Sequence, residues 1–276
     1  MRPHTERGSG PLGSWELVRG APHPDLRAQV RRYLGYAEHT SFTRRREVPT
    51  VLVPLIINLG PPLRVGGQAY RLGFLAGLSD SAGIVESGGE QACIQVDFTP
   101  LGARLLLDRP LRELTNRAAD IQEAFGYAGQ ELVERLHAEP DWDNRFRLLD
   151  TFLGRRLASA AGVPPDLAWA WRRLARTAGA LPVAALAAEL GCSRKHLTAR
   201  FTEHLGLPPK TLARILRFHG VVGELNRLSG PVRLAELAAR HGYYDQAHLS
   251  REFRALAGLS PSEHLRRSSP EYGLIE

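Results

Sequence analysis

One segment of this chain is written twice, and a repeat of that kind narrows the folds open to it more than any other feature. Leu186 to Pro209 reads LAAELGCSRKHLTARFTEHLGLPP; Leu237 to Pro261 reads LAARHGYYDQAHLSREFRALAGLSP. Leu186 corresponds to Leu237 and Gly191 to Gly242 at an offset of 51; Leu197 to Leu249, Phe201 to Phe253, Gly206 to Gly258 and Pro209 to Pro261 at an offset of 52. The second copy therefore carries one extra residue in its turn. Each copy predicts a short helix, a Gly-containing turn, and a second helix. Leu234, Leu237, Ala238 and His241 recur on one helical face, and Gly242 stands where a left-handed residue ends a helix. Asp245 is placed as an N-cap acceptor. Leu249, Phe253 and Leu256 form the inward stripe of the following helix, and Gln246, His248, Arg251 and Arg254 its polar faces. Gly258 closes it, and Ser260-Pro261 opens one more short helix. Helix, tight turn and helix with a basic, amide-bearing face make a helix-turn-helix.

Between the copies, Lys210 to Leu228 is rich in Leu, Ile, Val and Arg. As a helix it would span roughly 28 Å at about 1.5 Å per residue, near the ~34 Å between successive major-groove faces of B-DNA. Two reading heads on such a spacer could enter adjacent grooves on one side of a duplex. Charge agrees. Residues 1–164 hold 20 Lys+Arg against 19 Asp+Glu, and residues 165–276 hold 16 against 10, so nearly all of the net +7 lies on the half with the repeat. Double-stranded DNA is the expected partner, because neutralising phosphates supplies sequence-independent affinity.

The motif A-x-x-x-G-Y-x-D-x-x-H-L-S-R-x-F-x-x-x-x-G-x-S-P, from Ala238 to Pro261, resembles the DNA-binding domain of AraC/XylS-family transcriptional regulators, and the resemblance extends over about Trp171 to Arg267. It implies a transcription regulator acting at promoters, with an N-terminal domain that senses a small-molecule effector or dimerises, often a cupin-like β-barrel, and with RNA polymerase as a further partner where it activates. The expected fold class is α+β: a small β-rich unit with a helical segment, then an all-α domain of two helix-turn-helix motifs joined by a long helix. The expected DNA-contacting residues are Ser193, Arg194, Lys195, Thr198 and Arg200 in the first copy and Gln246, Ala247, Arg251 and Arg254 in the second. Arg251 is suited to guanine and Gln246 to adenine by bidentate contacts, while Ser193 can hold a phosphate at a helix start. His196 and His248 occupy matching places that suit packing under the turn. Base-reading positions of the first copy in this family often carry larger polar residues; here Thr198 and Ala199 stand there, which shifts weight to Arg194 and Lys195.

Flexible residues 1–14, a sensing or dimerising unit over 15–163 (β-rich 40–98, helical 99–161) and a DNA-binding domain over 166–268 are the expected divisions, with the boundary at Gly162-Val163-Pro164-Pro165. Pro24 to Tyr36 is expected as a short helix, and Thr43 to Arg46 as a solvated basic loop. Thr50 to Leu59, Phe74 to Leu78, Gly83 to Ser87 and Ala92 to Phe98 read as strands, with Pro54 arguing for an edge or bulge in the first. In the last, Ile94, Val96 and Phe98 face one way and Cys93, Gln95 and Asp97 the other. Asn58, Gln95 and Asp97 are the candidate effector contacts. Thr99-Pro100 opens a helix, with further helices at Asp120 to Tyr127, Gly129 to Ala138 and Asp143 to Ala160, and Asp166 is expected to cap a helix through Ala175. The apolar stripe of Asp143 to Ala160 suits packing on the β unit better than dimerisation, although a homodimer of the whole chain is expected. Two cysteines, Cys93 and Cys192, exclude a disulfide framework and an all-cysteine zinc site. They also exclude a DNA-repair methyl-transfer enzyme of the kind that carries an AraC-type domain. A redox role for Cys93 is weighed against a structural one, and the structural one is favoured. No cofactor, metal or catalytic motif is expected. No apolar run reaches the ~18 residues of a membrane span, and the N-terminus lacks the apolar core of a signal peptide, so a cytoplasmic regulator is expected. A regulator without any ligand, set by abundance or by a protein partner, is the alternative.

Overall fold

The computed structural model describes residues 3–227, 232–269 and 273–276. Ten strands come first: β1 (His4–Gly10), β2 (Gly13–Gly20), β3 (Val30–Thr40), β4 (Arg44–Glu47), β5 (Val53–Asn58), β6 (Leu63–Val65), β7 (Gln68–Tyr70), β8 (Gly73–Ala76), β9 (Gly83–Glu86) and β10 (Glu90–Phe98). Then follow α1 (Pro100–Leu107), a 3-10 turn at Leu111–Leu114, β11 (Ala118–Asp120), α2 (Ile121–Phe125), α3 (Tyr127–Ala138) and α4 (Trp142–Ala158). The strands form two antiparallel sheets, β1-β2-β3-β10-β5-β8-β11 and β4-β9-β6-β7. They face each other across a cavity lined by both.

Period two decides what each face of the larger sheet does. On β5 and β10, Leu55, Ile57, Ile94, Val96 and Phe98 join the core under the helices. Ile56 and Cys93, on the opposite parity, pack with Leu63, Tyr70 and Phe74 toward the second sheet. The parity expected for β10 is the one observed. Pro54 is tolerated inside β5 because pairing with β10 covers Val53 to Asn58, whereas pairing with β8 starts only at Leu55. The apolar stripe of α4 packs on the β unit: Phe146 stacks on Tyr33 with centroids 5.4 Å apart, and Phe146, Leu149 and Leu153 are buried.

Several expectations are corrected here. The N-terminal residues expected to be flexible form β1 and enter β2, apart from Met1 and Arg2, which lie outside the described residues. The ladder runs from His4–Arg19 to Gly10–Gly13, so the Gly/Ser-rich run is the turn of a hairpin, held also by Arg7–Glu16 at 2.5 Å. The β-rich unit thus begins at His4 and not at residue 40. Pro24 to Tyr36 is a 3-10 turn at Pro24–Leu26 followed by β3, paired on both sides by β2 and β10; tertiary pairing overrides a short helical periodicity. The basic knot Thr43 to Arg46 is not a loop: its arginines belong to β4 (Arg44–Glu47), paired to β9. Inside the stretch expected to be helical, β11 adds an edge to β8.

The second half is helical: α5 (Pro165–Arg176), α6 (Val183–Glu189), α7 (Arg194–Leu205), α8 (Pro209–Leu225), α9 (Leu234–Arg240), α10 (Gln246–Ala257) and α11 (Pro261–Arg267), with a closing pair β12 (Ser268–Ser269) and β13 (Gly273–Leu274). Asp166 does not cap α5; Pro164 stands at the N-cap position without a side-chain hydrogen bond, and Asp166 sits inside the first turn, ion-paired to Arg200. The spacer helix α8 ends at Leu225, and Leu228 lies outside the described residues.

Candidate nucleic-acid interface

The paired helices stand where the repeat puts them because each carries its own start and stop. Ser193 Oγ accepts the His196 backbone N–H at 3.1 Å, and Asp245 carboxylate accepts that of His248 at 2.6 Å. These caps satisfy donors that the first turn leaves free. Gly206 and Gly258 end α7 and α10 in the left-handed region, at φ +89° and +72°. Ser260 and Glu263 form a capping box at α11. Leu197, Phe201, Leu249 and Phe253 are buried. α8 is the beam between the two units: Phe218 meets Phe253 edge-on at 4.9 Å, and Arg214 bonds Glu252 at 2.9 Å. Glu252 also lies 3.6 Å from Arg217 and 3.7 Å from His248. It anchors α10 to α8, a role that the helical pattern did not single out.

Most of the expected DNA set is exposed together. Ser193, Arg194 and Lys195 are exposed at the start of α7, with Thr198 half-buried behind them. Gln246, Ala247, Arg251 and Arg254 are exposed on α10. Among the described residues, Arg194, Lys195, Arg251 and Arg254 form no ion pair, so their charge is available to a polyanion. Arg200 is the exception: its guanidinium is half-buried against Asp166 at 2.8 Å, turned to α5. His248 packs as its place in the repeat suggested, 5.3 Å from the Tyr243 ring and accepting the Tyr244 backbone N–H at 3.4 Å. His196, its counterpart, is exposed instead. Tyr244, 93% exposed immediately before α10, is an aromatic of this face that the helical pattern did not single out.

The N-terminal half touches both second helices at their far ends. Thr115 Oγ1 donates to Gly206 O at 2.8 Å, and Arg112 pairs with Glu203 at 2.6 Å. A Cβ on Gly206 would lie 2.8 Å from Thr115 Oγ1, so this close approach needs glycine as much as its positive φ does. At the repeat-related position, Arg46 Nη1 donates to Ala257 O at 3.2 Å and lies 2.5 Å from where a Gly258 Cβ would sit. Arg46 is itself held by Glu276. Both second helices are thus gripped at their C-terminal glycines, while their N-terminal ends remain open.

The space between the sheets is a cavity of about 250 Å³. Pro54, Ile56, Leu63, Val65, Phe74 and Val85 give it apolar walls; Tyr36, Arg45, Glu47, Gln91, Gln95 and Arg117 give it polar ones. Of the three expected effector contacts only Gln95 lines it. Asn58 is fully buried, donating to the carbonyls of Gly60, Pro61 and Arg71 at 2.8–3.0 Å and accepting the Gly60 N–H. Asp97 is paired to Arg32 at 2.5 Å and accepts from Gln95 at 2.7 Å. Neither lines the cavity, and the polar groups of both are bonded within the protein. Cys93 is buried, and burial pushes its thiol up to about 11, which removes the thiolate that a redox sensor needs. Among the described residues no group of His, Cys, Asp and Glu could hold a metal, and no helix is long and apolar enough to cross a membrane.

Residues 186–267 match the family model described as "Helix-turn-helix domain", and residues 18–120 match one described as "Domain of unknown function (DUF6597)". A doubled helix-turn-helix with its basic N-terminal ends open makes this part of the chain a helix-turn-helix DNA-binding domain. No curated protein matches the sequence. Among solved structures the chain is similar to a lysine variant of apo ToxT from Vibrio cholerae, at 13% identity and a TM-score of 0.48, over 94% of this chain and 99% of that one. It is also similar to unsaturated fatty acid-bound ToxT from Vibrio cholerae, at 11% identity and 0.45, over 98% and 100%. The AraC-like transcriptional activator CuxR is similar at 16% identity and 0.31, over 68% and 74%.

Proposed function

We propose that this regulator reads promoter DNA with the open ends of α7 and α10, and that a small molecule bound between the two sheets sets how those helices are held. The observation that carries the reading is the shared wall. Arg45 and Glu47 line the cavity, and Arg46 between them holds the end of α10. Asn116 and Arg117 line it on another side, and Thr115 beside them holds the end of α7. Any shift of these two segments on ligand binding therefore reaches both glycine ends, and a ligand can bias the pose only by its differential affinity for two states. Ser193, Arg194, Lys195, Thr198, Gln246, Ala247, Arg251 and Arg254 form the DNA face in this reading, and Arg200 does not. The division between sensing and DNA-binding units falls at Gly162 to Pro165. A homodimer on promoter DNA, RNA polymerase as a partner where transcription is activated, and a cytoplasmic site of action complete it. The reading assigns no catalysis.

A metabolite panel that raises Tm by mass action, followed by DNA binding with and without each stabilising compound, tests the coupling. The expected result is a change of DNA affinity by at least some stabilising compounds. DNA affinity unmoved by every one of them would overturn it in favour of a regulator set by abundance or a protein partner.

A further inference from the structure

The charges around the cavity do not balance, and the imbalance points to the ligand's chemistry. Two cations line the cavity, Arg45 and Arg117. Arg45 is neutralised by Glu38 at 2.6 Å, with both side chains largely buried. Its guanidinium also lies over the Phe42 ring at 5.1 Å. Arg117 is neutralised by Glu123, with contacts of 2.6 and 3.3 Å to the two carboxylate oxygens. Glu47 is the one carboxyl on the wall among the described residues, and it forms no hydrogen bond and no ion pair there. The other acid near it, Asp97, is committed to Arg32 and Gln95.

Glu47 is exposed at the end of β4 and lines the cavity, and desolvation raises the pKa of its carboxyl, with Arg45 opposing the rise and Asp97 and Glu38 adding to it. A carboxyl on a largely apolar cavity wall, with no hydrogen-bond donor or cation paired to it, is left partly uncompensated. It is completed by a donor or cation that arrives with a ligand, whose apolar body Ile56, Phe74 and Val85 would cover. Resting on the sensing role proposed above, we propose that the cavity takes a compact apolar amine, its ammonium held by Glu47 and its body held between the sheets. Gln95 and Gln91, on the same wall, offer amide oxygens to the remaining N–H groups, and Tyr36 accepts from Gln91 at 2.9 Å. A cavity of about 250 Å³ lies just below the ~300–1,000 Å³ of drug-sized sites, which favours a ligand of one ring with a short chain.

The experiment uses the full chain and three probes of matched shape: phenylbutylamine, phenylbutanol and phenylbutyrate, read by thermal shift and calorimetry. The expected order is amine first, with alcohol and carboxylate each at least tenfold weaker. Glu47→Gln should erase the amine's advantage over the alcohol. It should fold as well as the parent, because the carboxyl it replaces has no partner to lose. The order among the probes on the unmodified chain is independent of that variant. If the alcohol binds as tightly as the amine, the head-group assignment fails and the sensing cavity stands. Preference for the carboxylate overturns the proposal in favour of an anion on Arg45 or Arg117. Binding of none of the three overturns it too, and the sensing reading then depends on the metabolite panel alone.

Discussion

Arg251 separates base reading from charge, and its removal can be worked through in numbers. It is exposed, free of ion pairs, and follows Ala247 by four residues and precedes Arg254 by three, so the three share one face of α10. The helix under it is fixed at both ends by Asp245 and Gly258. Arg251→Ala should therefore change stability by no more than ~0.5 kcal/mol, as at other exposed surface sites. A bidentate contact to guanine is worth ~1–3 kcal/mol. At ~1.4 kcal/mol per tenfold, that is a loss of about five- to 150-fold on the target sequence. Binding to shuffled DNA should change little, and the slope of log K against log salt on the target should hold. A lost phosphate contact would instead lower that slope by ~0.9. Fluorescence anisotropy at several salt concentrations, on a selected target and a shuffled duplex, reads all three quantities. Equal loss on both duplexes, with a shallower slope, would refute base reading and reduce Arg251 to a phosphate contact.

Arg200→Ala should leave the salt slope unchanged and cost less than ~1 kcal/mol of stability, since its guanidinium pairs with Asp166 on a partly exposed surface; a slope lowered by ~0.9 would return it to the DNA face. Thiol titration of the native protein at pH 8 should find one readily reacting cysteine, Cys192. Cys93 should react only as pH climbs toward about 11 or on unfolding, because the thiolate is the reactive form and burial disfavours it; two fast thiols at pH 8 would contradict its placement. Phe218→Ala removes the ring that α8 presents to Phe253, both fully buried, and should cost ~3–5 kcal/mol in urea unfolding. A loss below ~1 kcal/mol would mean that α8 does not bear the second helix-turn-helix.

The sequence by itself determined what is local. The repeat, its glycines at positive φ, the Ser193 and Asp245 caps and the inward Leu and Phe positions depend on neighbours within a few residues, and α6, α7, α9, α10 and α11 follow them. Strand parity in β10 was legible for the same reason. Tertiary structure decided what depends on distant partners. Pro24 to Tyr36 carries a helical spacing, yet β2 and β10 make Val30 to Thr40 a strand. A Gly/Ser run that reads as flexible is a hairpin because β3 extends the sheet beneath it. Asn58 and Asp97 lost their expected role to partners on other strands and turns. Arg200 turned to Asp166, and Glu47 became a cavity wall only when β4 paired with β9. The grip on the two recognition-helix ends joins residues 91 apart, Thr115 and Gly206, and 211 apart, Arg46 and Ala257. No local pattern encodes such contacts. They form when surfaces distant in sequence meet, and the glycines at the helix ends are what let them come close.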